Sequence, residues 1–143
     1  LIASAVLAAG LSAPAMAADD MDASLRSLAD AWAKVYYQTP EDRQVPLYPP
    51  LLAEAEKIAQ AHPDRAEPLV WETIVLSSYA SAKGGLPALD LAKKARDVAM
   101  AAAKRDAKAL DAGGLTAVGV LYYKVPGWPI GFGNDAKAKQ YLE

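Results

Sequence analysis

The sequence predicts an all-α protein made of consecutive antiparallel helical hairpins. Alanine is abundant, β-branched residues are sparse, and no stretch alternates apolar and polar residues cleanly, a pattern that favours helices over strands. Prolines and glycines divide the chain into six segments of helical length. Tyr36, Tyr79 and Tyr122 are separated by 43 residues each, which indicates a repeat of helix pairs.

The first helix is predicted from amphipathic periodicity. Between Leu25 and Tyr36, apolar residues recur at the spacing that places them on one face of a helix, and Pro40 ends the segment. The second helix begins at Pro50, because proline suits a first helical turn, and it ends before Pro63.

Four further helices follow the same punctuation. The third runs over 68–84, from a proline to a glycine pair that favours a helix end. The alanine- and lysine-rich stretch 86–108 predicts a long fourth helix, and 115–124 lies in a fifth. Asn134 or Asp135 is the predicted N-cap of a sixth helix that continues to the end of the sequence.

Residues 1–17 match a secretory signal peptide whose basic n-region is missing. The apolar run carries no charge, is broken by Pro14, and ends in a small-residue cleavage pattern at Ala17. A membrane span is the alternative, but it needs ~20 consecutive apolar residues without helix breakers. We therefore expect 18–143 to be the mature domain, free of a stable membrane anchor after cleavage.

Composition narrows the compartment and the partners. Cysteine is absent, which excludes disulfides, a Cys nucleophile and a lipidated Cys. Fifteen basic and 17 acidic residues are interspersed, with a net charge of −2, unlike the basic footprint of nucleic-acid binders. The expectation is one periplasmic domain with no nucleic-acid partner.

The stretch GFGNDAKA, residues 131–138, has the G-x-G-x-x-A spacing of dinucleotide-binding folds. In those folds a buried strand runs straight into the first glycine. Here Pro126 and Pro129 interrupt any such strand. A glycine-rich turn that leads into the sixth helix needs no further assumption, so a turn is predicted.

The loop VPGWPIGF carries large apolar side chains between two helices. Such a run either folds back on the hairpin or meets a partner or ligand, because an exposed apolar patch promotes association. Folding back is the simpler interpretation. The second interpretation makes Trp128, Ile130 and Phe132 a lid over a binding pocket.

No catalytic, metal or cofactor site is predicted. His62 is the only histidine and has no companion for metal binding. Glu54 and Glu56 are two residues apart on a helix and therefore point to different faces. Ser77 and Ser78 have no base nearby in the sequence. A hydrolytic enzyme is accordingly the weakest of the alternatives.

Three segments resemble tetratricopeptide (TPR) repeats. HPDRAEPLVW resembles the corner between repeats, AVGVLYYK the first-helix signature, and DAKAKQYLE the opening of a second helix. The resemblance covers most of residues 25–143, with a period of 43 rather than about 34 residues and the excess in two loops. The sequence is also similar to exported TPR proteins, including the TPR component of some TRAP-type transporters.

The resemblance implies a TPR-like solenoid of about three repeats, the last truncated, with the natural protein continuing past Glu143. It implies that Tyr36, Tyr79 and Tyr122 pack between the helices of each repeat. It also implies a concave groove, to which it assigns five residues: Lys34, Tyr37, Ser77, Val120 and Tyr123.

Two functions remain open from the sequence. The first is a non-enzymatic scaffold that holds a peptide, a protein segment or a sister subunit in the concave groove. The second is a small-molecule-binding accessory protein of a solute transport system, with the Trp128 loop as roof.

Overall fold

The computed structural model describes residues 13–143, and within them the fold is all-helical with no β-strand. Most of the predicted signal peptide, residues 1–12, lies outside the described residues. No helix in the described part is long and apolar enough to cross a membrane. The helices are α1 (Ala13–Gln38), α2 (Glu41–Gln44), α3 (Tyr48–Ala61), α4 (Glu67–Lys83), α5 (Ala88–Arg105), α6 (Ala109–Lys124) and α7 (Asp135–Leu142).

Most predicted helix ends are confirmed. Pro68 lies in the first turn of α4, and Gly84 ends that helix with a positive φ of 63°, which glycine adopts at little cost. Asn134 caps α7, since its side-chain oxygen accepts a hydrogen bond of 2.9 Å from the Lys137 amide.

The loop predicted between the first two helices contains more structure than expected. It holds α2 and a 3-10 turn, Val45–Leu47, so that α3 begins two residues before the predicted Pro50. The reason is Gln44, which is buried and donates from Nε2 to the carbonyls of Tyr36 (3.3 Å) and Thr39 (3.0 Å). These bonds satisfy carbonyl groups at the end of α1 that have no partner within the helix.

Helix α4 lies at the centre of the array and contacts α1, α3, α5 and α6. Helix α6 contacts α4, α5 and α7. Tyr48 at the start of α3 stacks on Tyr79 near the end of α4, with 5.6 Å between ring centroids. Gly114 at the start of α6 packs near Ala102 at the end of α5. These neighbouring helices are therefore antiparallel.

Two apolar clusters meet on different faces of α4. Val75 belongs to the cluster shared with α1 and α3, and Leu76 belongs to the cluster shared with α5 and α6. Both side chains have no exposed surface. A helix buried on two faces cannot show a simple amphipathic stripe, so α4 is apolar on most of its circumference.

The expectation that each of the three tyrosines packs between the two helices of its pair is correct for one of them, Tyr122. Tyr122 of α6 is buried and stacks on Tyr141 of α7 at 6.0 Å. Tyr79 of α4 instead stacks on Tyr48 of α3, which belongs to the preceding pair. Tyr36 is 45% exposed and does not pack between α1 and α3. In α1 the buried stripe runs through Met21, Leu25, Leu28 and Val35, which leaves the next residue turned about 100° away from the core.

The first turn of α6 is left-handed. Leu110, Asp111 and Ala112 have φ values of 47°, 55° and 60°, so that the regular right-handed helix begins at Gly113. For residues with a Cβ this conformation costs roughly 1–2 kcal/mol each. The chain between α5 and α6 therefore stores backbone strain at a corner that borders the candidate site.

Replacing Ala112 with glycine should relieve part of this strain. Glycine accepts a positive φ but loses more entropy on folding, so Ala112→Gly should stabilise the protein by about 0.5 kcal/mol. The same change at exposed Ala101, inside the regular helix α5, should destabilise it by about 1 kcal/mol. Urea denaturation compares the two variants, and a loss of stability in both would contradict the left-handed turn.

Candidate functional site

A large cavity of the described structure lies between α4 and α6 and has a volume of about 1210 Å³. Its walls come from the faces of these two helices. The turn before α5, the first turns of α5 and the loop after α6 close two further sides, and Tyr36 of α1 closes another. This volume is somewhat above that of most small-molecule sites, which are about 300–1,000 Å³.

The two long walls of the cavity use matching positions of the sequence. Each of six lining residues on α4 has a counterpart on α6 that lies 43 residues later. The tyrosine spacing that suggested a repeat therefore also relates the walls of the site. The pairs are Val70 and Gly113, Thr73 and Thr116, Ile74 and Ala117, Ser77 and Val120, Ser78 and Leu121, and Ser81 and Lys124.

One of these pairs sets how closely the helices approach at one end of the cavity. A Cβ atom on Gly113 would lie 2.8 Å from Cγ1 of Val70, which is closer than normal van der Waals contact. The absence of a side chain at Gly113 lets α4 and α6 touch at this end. The cavity lies alongside and beyond this contact, towards Ser81 and Lys124.

The lining is apolar with several hydroxyl groups. Thr73 Oγ1 donates to the Leu69 carbonyl (2.9 Å), and Ser78 Oγ donates to the Ile74 carbonyl (2.8 Å). These hydroxyls are already used inside α4. The hydroxyls of Ser77, Ser81 and Thr116 make no side-chain hydrogen bond to another described residue, which leaves three polar groups for a bound molecule.

Aromatic rings form the α1 side of the cavity. Trp32 stacks on Tyr36 (5.1 Å between centroids) and meets Tyr37 and Trp71 edge to face (5.7 and 6.0 Å). Its Nε1 donates to Ser78 Oγ at 2.9 Å, which fixes the indole against α4. Tyr36 and Trp71 line the cavity, so a rigid aromatic wall faces its interior.

Two charged side chains line the cavity among the described residues, Asp111 and Lys124. Asp111 lies at the end where α6 begins, and Lys124 is the last residue of α6. Neither belongs to an ion pair among the side chains of residues 20–143. The two ends of the cavity therefore carry opposite charges.

The structure brings together two of the five groove residues predicted from the sequence. Ser77 and Val120 face each other's helices across the cavity. Tyr37 and Tyr123 are exposed but do not line it. Lys34 lines a separate cavity of about 540 Å³ between α1 and the start of α3. On α1 it is Tyr36, one residue before the predicted Tyr37, that lines the cavity.

Of the three predicted lid residues, one lines the cavity and two do not. Ile130 lines the cavity together with Val125 and Pro126 of the same loop. Trp128 is 89% exposed and does not line it. Phe132 folds back against Tyr122 (5.6 Å, edge to face) and lies 4.5 Å from the Arg96 guanidinium. Phe132 thus belongs to the internal packing, and the wall of the cavity is formed by the aliphatic part of the loop.

The stretch GFGNDAKA forms a turn, as predicted. The Gly133 amide donates to the Pro126 carbonyl at 2.9 Å, and the Asn134 amide donates to the Tyr122 carbonyl at 2.8 Å. A Cβ on Gly133 would overlap the carbonyl of Val125. The glycines are therefore required because the loop doubles back on its own backbone.

No protein-family model matches the chain, and no curated protein or solved structure matches it either. The resemblance to TPR repeats consequently depends on the three quoted segments and stays a prediction. The candidate site is interpreted from its own residues.

A second group of charges lies away from the cavity, between α3, α4 and α5. Glu72 of α4 is buried, and an ion pair joins Lys94 Nζ to Glu56 Oε1 beside it. Burial raises the pKa of the Glu72 carboxyl; Lys94 lowers this pKa and Glu56 raises it further, both to a smaller extent. The charged form of Glu72 therefore destabilises the fold.

Removing this charge should stabilise the protein at neutral pH. Because the folded-state pKa of Glu72 is raised, its penalty is present above that pKa and disappears as the pH falls towards the ordinary value of about 4.3. Glu72→Gln should gain about 1 kcal/mol at pH 7 and nothing near pH 4.

Urea denaturation between pH 4 and 8 measures this difference. Glu54→Gln is the matched control, because Glu54 is exposed and only weakly paired with Lys57, at 3.8 Å; its effect should stay within about 0.5 kcal/mol. If Glu72→Gln increased the free energy of unfolding equally at every pH, the destabilisation would not come from the charged form of Glu72.

Proposed function

We propose that this protein is a non-enzymatic, TPR-like scaffold of the periplasm that binds a polypeptide segment in the cavity between α4 and α6. The observation that carries the proposal is the pairing of the cavity walls by six positions 43 residues apart. In a helical repeat, equivalent positions of successive repeats face the same side and form a continuous binding surface. The natural occupant is then an elongated molecule that crosses both helices.

The order of helix contacts supports the repeat interpretation. Helices α1, α4 and α6 each contact the next member of this set, and each also contacts the helix that follows it as its pair, α3, α5 or α7. This is the neighbour pattern of stacked helical hairpins, in which no hairpin can bury its apolar face alone. Under this interpretation α1, α4 and α6 form the inner, ligand-facing layer.

The chemistry of the cavity suits a polypeptide. Aliphatic residues and the rings of Tyr36 and Trp71 offer apolar contact, and exposed aromatic side chains are common binding hot spots. The hydroxyls of Ser77, Ser81 and Thr116 can pair with peptide N–H and C=O groups, which otherwise lose hydrogen bonds to water on binding.

Non-enzymatic binding is favoured by the arrangement of polar groups. Catalysis by a serine or threonine needs a base within about 3 Å of its hydroxyl. The described residues that line the cavity include no histidine, and their one carboxylate, Asp111, lies at the end of the cavity opposite Ser81. The hydroxyls are therefore assigned to binding.

A small-molecule-binding accessory protein of a transport system is the second candidate. It is favoured by the loop after α6, since Val125, Pro126 and Ile130 wall one side of the cavity and give it the shape of a pocket. A scaffold with a fully open groove has no need of this wall. The two candidates share one site and differ in the size of the occupant.

Filling the cavity tests the proposal. Val120→Trp places a large ring inside it, while Met100→Trp makes a similar change on the outer helix α5; the two residues are 42% and 43% exposed. Binding of fluorescently labelled short apolar peptides is measured by anisotropy. Val120→Trp should lose binding at least about tenfold, as expected at a hot spot, and Met100→Trp should bind normally.

The folded state of both variants is checked by circular dichroism. Equal binding by folded Val120→Trp and Met100→Trp would exclude the cavity as the peptide site. The second candidate would be favoured if none of the three proteins bound peptides, and if the unmodified protein and Met100→Trp bound a small metabolite that Val120→Trp did not bind.

A further inference from the structure

We infer that the occupant of the cavity is a free oligopeptide of about five residues, whose carboxylate end lies at Lys124 and whose ammonium end lies at Asp111. This inference rests on the proposed function and narrows it from a segment of any polypeptide to a short chain with both ends free. It is carried by the charges at the two ends of the cavity and by the distance between them.

The charges select the direction of the ligand. Between Asp111 and Lys124 the cavity is lined by uncharged residues only. A zwitterionic chain satisfies both end groups and leaves its uncharged middle against the apolar lining. An internal segment of a protein has no terminal charges in reach, and a simple aliphatic anion would use Lys124 but leave Asp111 without a partner.

The position of Lys124 and Asp111 at the ends of α6 does not prevent them from pairing with a ligand. A cation in the last turn of a helix and an anion before its first turn both suit the helix macrodipole. That dipole amounts to roughly half a charge at each end. Its interaction with exposed side chains is weak, so Lys124 and Asp111 can still pair with the charged ends of a ligand. The nearest aromatic contact of Lys124, the Tyr123 ring at 6.0 Å, is equally weak.

The length of the site sets the length of the peptide. The right-handed part of α6 from Gly113 to Lys124 spans roughly 16 Å at 1.5 Å per residue. An extended chain advances about 3.4 Å per residue, so roughly five residues cover the distance between the two charges. The volume of about 1210 Å³ accommodates such a chain with aliphatic side chains.

The hydroxyls along the walls supply backbone contacts. Ser77 and Ser81 are four residues apart and therefore lie on one face of α4, about one helical turn from each other. Thr116 lies on the opposite wall. An extended peptide presents N–H and C=O groups on both edges, so each wall can bond one edge of the ligand.

The experiment uses the pentapeptide Ala-Leu-Ser-Leu-Ala in four forms: free, N-acetylated, C-amidated, and blocked at both ends. Dissociation constants are measured by calorimetry at low salt with the full chain and with Lys124→Gln, Lys124→Arg and Asp111→Asn. Each blocked end should weaken binding about threefold, as expected for partly exposed ion pairs. Lys124→Gln should abolish the effect of amidation alone, and Lys124→Arg should restore it.

Asp111→Asn should in the same way abolish the effect of acetylation alone. Equal affinity for the free and doubly blocked peptides, with binding still lost in Val120→Trp, would overturn this inference and leave the proposed function standing. Absence of binding for all four forms and for longer apolar peptides would overturn both. An effect of amidation that persists in Lys124→Gln would overturn the assignment of the carboxylate end.

Discussion

The structure depends on the burial of one helix, α4, on almost all sides. Nine of its residues are buried, among them Val75 and Leu76, which face different apolar clusters. No single neighbour can cover such a helix, so α1, α3, α5 and α6 must all pack against it. Even Glu72, a carboxylate, is buried by this packing and has its pKa raised. The hydrophobic effect on α4 thus fixes the relative positions of the helices that contact it.

The candidate site is the strip of α4 that these neighbours leave uncovered. Helix α6 packs on α4 through Gly113 and Val70, and beyond that contact the two helices expose matching positions to a common cavity. Helix α1 closes the space with a ring, Tyr36, that the core of α1 does not use. The same alignment of α6 on α4 therefore determines both the helix packing and the shape of the cavity. The backbone strain at Leu110–Ala112 lies at the corner between α5 and α6 that positions α6.

Much of the helix order could be predicted from proline, glycine and capping residues, because these act through local backbone geometry. Gln44 could not, since its role as a cap for α1 depends on a fold-back of the chain. The repeat predicted Ser77 and Val120, which line the cavity, and the same 43-residue spacing could have added Thr73 and Thr116. Periodicity could not predict that Tyr36 rather than Tyr37 lines the cavity, or that Trp128 points outward. Both follow from tertiary packing.

The most direct test of the account is photo-cross-linking in cells that produce the protein. Benzoylphenylalanine replaces Tyr36, whose ring already lines the cavity, or Met100 on the outer surface; the two residues are 45% and 43% exposed. The account predicts a defined covalent adduct at Tyr36 and none at Met100, with the mass of the adduct giving the size of the natural occupant. Adducts at Met100 alone, or at both positions equally, would contradict a binding site between α4 and α6.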